Sequence, residues 1–155
     1  MFDPVVDRPD ATLASSVVWL DALVSNVDRT ARNPNLLMWH RQLWLIDHGA
    51  AFYFHHGGAD FAARARDPFP LIKEHVLLPW ATMLREVEAG LAARVSPEVV
   101  NAIVAQVPDA WLGRDAPDAD VAARRRDAYA SYLNARLAAP RAFVEEALRA
   151  QSLHV

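Results

Sequence analysis

The stretch "NVDRTARNPNLLMWHRQLWLIDHG", residues 26–49, decides the fold of this part of the chain. It contains two apolar runs, NLLMW and QLWLI, separated only by His40-Arg41. Two short runs of strand-forming residues around a two-residue connection predict a β-hairpin. That connection fixes the pairing as Trp39 with Gln42, Met38 with Leu43 and Asn35 with Ile46. His-Arg is not the Asn-Gly type that such turns prefer, so the turn type stays open.

The register of this hairpin also places the polar residues at its open end. Continued by two positions, it sets Pro34 opposite Asp47 and Asn33 opposite His48. Cross-strand neighbours lie about 5 Å apart, so the Asn33 amide and the Asp47 carboxylate come within range of one metal ion. Hard oxygen ligands of this kind suit Mg²⁺, which keeps its other positions for water and phosphate. We therefore expect Asn33 and Asp47 to be magnesium ligands.

Asp28 lies in the loop just before the hairpin and completes a chemical pattern. In phosphoryl transfer, one aspartate orients and deprotonates the acceptor hydroxyl, while an asparagine and a second aspartate hold magnesium on the phosphates. Asp28 fits the first role, and Asn33 with Asp47 fits the second. Taken singly, each residue also fits a turn or a strand end, where Asp and Asn are common. The combined spacing favours the site.

The same residues resemble a known family. Asp28-Arg29-Thr30-Ala31-Arg32-Asn33 is similar to the D-x4-N catalytic loop of kinases, and Asp47-His48-Gly49 is similar to the metal-binding D-F-G, with His in place of Phe. The segment "DRTARNPNLLMWHRQLWLIDHGAAFYFHH", with "VPDAWL" later, resembles bacterial HipA-like kinase-domain proteins. Asn26-Val27 stand where ordinary protein kinases carry His-Arg, and this departure fits the atypical kinases. The resemblance covers most of residues 1–150 and is most specific over 17–56.

The resemblance implies a catalytic base at Asp28, magnesium at Asn33 and Asp47, and ATP as the phosphoryl donor. It also implies an upstream N-lobe, with a phosphate-covering loop and a lysine that pairs with the phosphates. The 27 residues before Asp28 contain no Gly and no Lys, and the only lysine of the chain, Lys73, follows the motif. We therefore expect a C-terminal lobe without its N-lobe, which another chain or an upstream segment would supply.

The rest of the chain is expected to be helical. Asp10 or Thr12 caps a first helix over 12–26, and Ser96-Pro97-Glu98 is a helix start signal. Residues 50–69 are expected to form a partly helical loop. Further helices are predicted over 69–77, 79–94, 97–106, 118–138 and 140–150. The predicted fold class is mainly α, a helical bundle like a kinase C-lobe with one short hairpin that carries the metal-binding motif, in a single domain over 1–155.

Composition excludes several classes of protein. The chain has 155 residues, is 53% hydrophobic and carries a formal net charge of −3, which favours neither nucleic acid nor an anionic membrane as a partner. It has no cysteine, and hence no thiolate metal site. No apolar run reaches the roughly 18 residues of a membrane span, and the N-terminus is unlike a signal peptide. We expect a cytoplasmic bacterial protein.

Three functions stay open at this point. The first is the C-lobe of a HipA-like kinase that phosphorylates a hydroxyl, most plausibly of a protein Ser or Thr, and is inactive without an N-lobe. The second is a degenerate kinase half that binds a partner protein, or a second copy of itself, through the uncovered hairpin face. The third is a helical metal-dependent hydrolase that uses the histidines, although His55-His56 are adjacent and diverge in regular structure.

Overall fold

A computed structural model describes residues 2–54, 61–112 and 119–154, with only the backbone of 61 and 62. The helices are α1 (Ala11–Leu23), α2 (Phe61–Arg64), α3 (Leu84–Arg94), α4 (Pro97–Ala105), α5 (Asp109–Leu112), α6 (Ala119–Leu137) and α7 (Ala142–Ser152). The strands β1 (Leu36–Trp39) and β2 (Gln42–Leu45) follow α1, and two 3₁₀ turns (Pro70–Glu74 and Leu78–Trp80) precede α3. The predicted fold class, mainly helical with one antiparallel hairpin, is confirmed.

Helix α1 begins at Asp10, one of its two predicted caps. The Asp10 carboxylate accepts hydrogen bonds from the backbone N–H groups of Thr12 and Leu13 at 2.9 and 3.1 Å. These bonds satisfy two of the N–H groups that a helix start leaves free. The helix packs against α3, α6 and α7, and most of its residues are buried. It ends at Leu23, three residues before the predicted limit.

The hairpin forms in the predicted register. Leu36 pairs with Leu45 and Trp39 with Gln42, and the Ile46 N–H donates to the Asn35 carbonyl at 3.0 Å. The backbone shows which type of turn joins the strands, because His40 and Arg41 have φ values of 48° and 63°. Two positive φ values are the signature of a type I′ turn, whose twist matches that of the strands.

The two faces of the hairpin have different surroundings. Met38, Leu43 and Leu45 pack against the main core, and Leu36 is fully buried in it. The side chains of Trp39 and Trp44 on the opposite face are 58% and 52% exposed. The described residues therefore cover only one face of the hairpin. The outer face is open apolar surface.

The predicted helices over 69–77 and 79–94 are shorter in the structure than the sequence suggested. Pro70 and Pro79 each stand in the first turn of a 3₁₀ segment, and regular α-helix begins only at Leu84. Proline has no N–H to donate and disfavours helix at the residue before it, so closely spaced prolines break a longer helix into turns. The Ser96 cap is confirmed: its hydroxyl accepts from the Val99 N–H at 3.4 Å.

A buried arginine ties α6 to the core. Arg136 is 3% exposed and donates to the carbonyls of Ala22, Ala65 and Asp67 at 2.9, 3.3 and 2.8 Å. Its guanidinium also lies over the Phe143 ring, 4.9 Å from the centroid. The arginine satisfies carbonyls at the end of α1 and in the α2 region, so it fixes how these segments meet.

No described helix has the length and apolarity that a bilayer crossing needs.

Candidate functional site

The segment between α1 and the hairpin, residues 24–35, has no helix or strand of its own. It nevertheless contains four buried polar residues, Ser25, Asn26, Arg29 and Asn35. Buried polar groups must find hydrogen-bond partners inside the protein. Their partners define how this segment, which carries the predicted catalytic Asp28, is held.

Asp21 in α1 is the centre of the arrangement and has no exposed surface. Its Oδ2 accepts from Arg29 Nε at 2.5 Å and from His75 Nε2 at 2.9 Å. Its Oδ1 accepts from Asn26 Nδ2 at 3.0 Å. Both carboxylate oxygens are thus occupied, and the negative charge is paired with the Arg29 guanidinium, as a buried charge requires.

His75 follows the 3₁₀ turn Pro70–Glu74 and is 5% exposed. Its Nδ1 accepts a hydrogen bond from the Leu77 backbone N–H at 3.0 Å. A backbone amide can only donate, so Nδ1 carries no proton and Nε2 carries the hydrogen that points at Asp21. His75 is therefore a neutral imidazole that orients the carboxylate.

The electrostatics agree with these protonation states. Burial lowers the pKa of His75 below its usual value near 6.5, although the hydrogen bond to Asp21 works against this. Burial alone would raise the pKa of Asp21, but hydrogen bonds and positive charge from His75 and Arg29 outweigh it and lower that pKa. Since the histidine is neutral, we attribute the charge contribution to Arg29. The result is an ionised aspartate beside a neutral histidine.

The Arg29 side chain is fully buried and reaches three separate parts of the chain. Besides Asp21, it donates through Nη1 to the Asn35 carbonyl at the start of the hairpin. Its Nη2 lies 3.4 Å from His48 Nδ1, in the loop after β2. The Arg29 carbonyl accepts from the Val76 N–H at 2.9 Å. Arg29 thereby contacts α1, the segments just before β1 and just after β2, and the 3₁₀ region.

Asp28, the predicted catalytic base, is half-buried next to this arginine. Asn35 Nδ2 donates to the Asp28 carbonyl at 2.9 Å and to its carboxylate Oδ2 at 3.2 Å. The Asp28 N–H donates to Asn26 Oδ1 at 3.2 Å. Within the described residues, the second carboxylate oxygen, Oδ1, accepts no hydrogen bond. Asp28 is thus oriented by two asparagines and keeps one oxygen available.

Asn33 and Asp47, the predicted magnesium ligands, are both exposed and lie beyond the same end of the hairpin. The Asp47 Oδ1 accepts from the Gly49 N–H at 3.3 Å. A Cβ on residue 49 would come 3.3 Å from that same oxygen, so glycine gives the carboxylate room. No backbone hydrogen bond joins 33–34 to 47–48, all of which are described, so the ladder ends at Asn35 and Ile46. Joint ligation of a metal by Asn33 and Asp47 stays a prediction.

Two residues at this end of the hairpin have unusual backbone conformations. Asn35 has φ of 47° and Asp47 has φ of 49°. Asn and Asp tolerate the left-handed region better than other non-glycine residues, and strained positions often cluster at functional sites. The backbone therefore turns away from the strand ladder on both sides of the hairpin, where the predicted site residues begin.

Sequence reasoning missed the buried network around Asp21. The signal was present, because Ala14, Val17, Val18 and Asp21 follow the three- and four-residue spacing of a buried helix stripe. A carboxylate on such a stripe demands a buried partner. The partner itself was hidden, since His75 lies 54 residues away in the sequence.

The histidine-based metal alternative receives no support from the residues that can be described. Across 2–54, 61–112 and 119–154 there is no group of three or more His, Cys, Asp or Glu side chains that could hold a metal. His55 and His56, two of the six histidines of the chain, lie outside the described residues. A magnesium site of one amide and one carboxylate is a different kind of site, since it needs only one of these side chains and takes water and phosphate as further ligands.

Comparisons of the chain with family models, with curated proteins and with solved structures return no match. Its function must therefore be argued from the residues themselves.

Proposed function

We propose that this chain is the C-terminal lobe of an ATP- and magnesium-dependent kinase of the HipA-like type, which transfers a phosphoryl group to the hydroxyl of a protein Ser or Thr. The observation that carries the proposal is the environment of Asp28. A half-buried carboxylate has one oxygen fixed by an asparagine and accepts no hydrogen bond from the described residues on the other, and it precedes a hairpin that is followed by Asp47-His48-Gly49.

The roles of the residues follow from that environment. Asn35 holds Asp28 Oδ2, so Oδ1 is the oxygen that would accept the proton of the attacking hydroxyl. Asn33 and Asp47 would supply the amide and carboxylate ligands of magnesium, with phosphate oxygens and water completing its shell. The ion would neutralise charge on the transferred phosphoryl group. The exposed position of both ligands leaves them open to a nucleotide.

The proposal includes an upstream lobe, on the same or another polypeptide. In kinases the phosphate-covering glycine loop and its lysine precede the catalytic loop, and residues 1–27 contain neither Gly nor Lys. The open apolar face around Trp39 and Trp44 is the surface that such a lobe and an adenine would cover. We expect weak or absent catalysis from residues 1–155 alone.

A phosphoryl-transfer assay tests the proposal. The chain, with and without an upstream lobe, is incubated with labelled ATP, Mg²⁺ and protein acceptors. We expect Asp28→Asn to lower kcat about 100- to 10,000-fold, the usual contribution of a general base. Asp47→Ala should abolish transfer, whereas Asp127→Asn, a change of an exposed carboxylate on α6, should have no effect. Transfer that survives Asp47→Ala would overturn the assignment.

A second candidate function rests on the outer face of the hairpin. Trp39 and Trp44 are 58% and 52% exposed and lie on one face of β1 and β2, and Ile46, which directly follows β2, is 38% exposed. Large exposed aromatic side chains are typical of protein interfaces. In this case the chain would be a non-catalytic kinase half that binds a partner protein or a second copy of itself through this face.

Titration with Mg²⁺-ATP and measurement of the molecular mass in solution separate the two candidates. Nucleotide binding that Asp47→Ala removes favours the kinase. A stable dimer that Trp44→Ser dissociates, together with absent nucleotide binding in the presence of the upstream segment, favours the interaction module.

A further inference from the structure

We propose that Arg29 is a positioning residue that couples the loop bearing Asp28 to the loop bearing Asp47, which it contacts through His48. This inference rests on the proposed function. The buried guanidinium of Arg29 touches Asp21 in α1, the Asn35 carbonyl and the His48 ring. The contacts to Asn35 and His48 join the two sides of the predicted site.

The first step of the argument is that Arg29 is firmly anchored. Its side chain and that of Asp21 are both fully buried, and their Nε to Oδ2 distance is 2.5 Å. Asp21 is in turn fixed by His75 and Asn26. A guanidinium held on one edge in this way directs its remaining N–H groups along fixed lines.

The second step is that the remaining N–H groups point at the two loops. Nη1 donates to the carbonyl of Asn35, the residue whose amide orients the Asp28 carboxylate. Nη2 faces Nδ1 of His48, the neighbour of Asp47. Movement of the loop after β2 relative to Asp28 would therefore break a contact with Arg29. A lysine retains the charge but has no planar fork to reach three directions.

The third step identifies the part of this arrangement that can be tested. His48 is exposed, so changing it does not remove a buried group. Its contact requires an acceptor at Nδ1, because every Arg29 nitrogen is a donor. The Asn side chain can place its oxygen close to the position of Nδ1 in His, whereas Ala offers no acceptor. His48→Ala and His48→Asn are thus a matched pair, with His40→Ala at the exposed turn as the control.

Amide hydrogen exchange, followed by NMR on the 155-residue chain, measures the coupling without any substrate, with each Gly49 rate first divided by the intrinsic rate that the side chain at position 48 sets. We expect exchange of the Gly49 amide to accelerate about fivefold in His48→Ala, the factor expected for one lost hydrogen bond. His48→Asn should restore the wild-type rate, and His40→Ala should not change it. The Arg29 Nε–H signal should persist in all three variants, since the bond to Asp21 is retained.

Equal exchange rates at Gly49 in His48→Ala and the wild type would overturn the inference, as would acceleration in His48→Asn as large as in His48→Ala. The kinase assay with the upstream segment adds a separate readout: His48→Ala should lower kcat about tenfold, within the range seen when a group supporting a site is lost, with KM for ATP nearly unchanged. If the wild type transfers no phosphoryl group while the exchange pattern holds, the proposed function fails and the coupling of the two loops stands.

Discussion

Replacing Asp21 by Asn should destabilise the protein strongly, although the side chains have almost the same shape. In the wild type, three donors converge on the two carboxylate oxygens: Arg29 Nε and His75 Nε2 on Oδ2, and Asn26 Nδ2 on Oδ1. An amide has one oxygen and one NH₂ group. Whichever way it turns, its NH₂ group faces at least one donor, and the Arg29 charge stays buried without a counter-charge.

The size of the effect follows from the burial of the pair. Both side chains have no exposed surface, and removal of one partner of a buried ion pair typically costs about 3–5 kcal/mol. A domain of this size has a total stability of about 5–15 kcal/mol. Each kcal/mol shifts Tm by about 2–4 °C for chains of 150–250 residues, so we expect Tm to fall by about 6 to 20 °C.

Urea denaturation at neutral pH, followed by tryptophan fluorescence and far-UV circular dichroism, measures this loss. Glu74→Gln is the control, because Glu74 pairs with Lys73 at 3.9 Å, both side chains are more than half exposed, and exposed pairs contribute little. It should leave the free energy of unfolding nearly unchanged. A free energy of unfolding for Asp21→Asn within about 1 kcal/mol of the wild type would show that this buried network does not hold the loop.

Three further predictions concern stability. Burial lowers the pKa of His75 in the folded protein, so the unfolded chain takes up a proton first as pH falls below about 6.5. The free energy of unfolding should then drop by up to about 1.4 kcal/mol per pH unit. Urea titrations should show a shallower loss of this free energy at acid pH in His75→Gln. Arg136→Met removes the Arg136 hydrogen bond from three carbonyls and should lower the free energy of unfolding in urea by about 3 kcal/mol. An unchanged urea midpoint would contradict the packing described for α6. Asp10→Ala removes the α1 cap and should cost about 1 kcal/mol, whereas Asp10→Ser should recover most of that loss in the same measurement.

The hairpin could be predicted from sequence because its determinants are local. Two apolar runs around a two-residue turn leave a single register, and the pairs Leu36–Leu45 to Trp39–Gln42 agree with it. The helix starts at Asp10 and Ser96 were found for the same reason, since a cap acts within three residues. Local chemistry did not settle the turn type, because His40 and Arg41 adopt positive φ without the usual Asn or Gly.

The buried hydrogen bonds that hold the candidate site in place could not be predicted in the same way. The contact between Asp21 and His75 spans 54 residues, and that between Arg136 and Ala22 spans 114. Periodicity shows that Asp21 lies on the buried side of α1, but tertiary packing alone selects its partners. The breaks in the predicted helices over 69–77 and 79–94 have a local cause in Pro70 and Pro79, which sequence reasoning underweighted.

The anchoring of residues 24–35 by distant side chains has a thermodynamic consequence. Asp21, His75 and the first residues of the hairpin must all be in place before this segment has a defined shape. Site assembly and global folding are then one cooperative event. Any nucleotide or metal that binds there shifts the whole denaturation curve by mass action, so its affinity can be obtained by calorimetry without a catalytic readout. A synthetic peptide of residues 26–49 should show no such affinity.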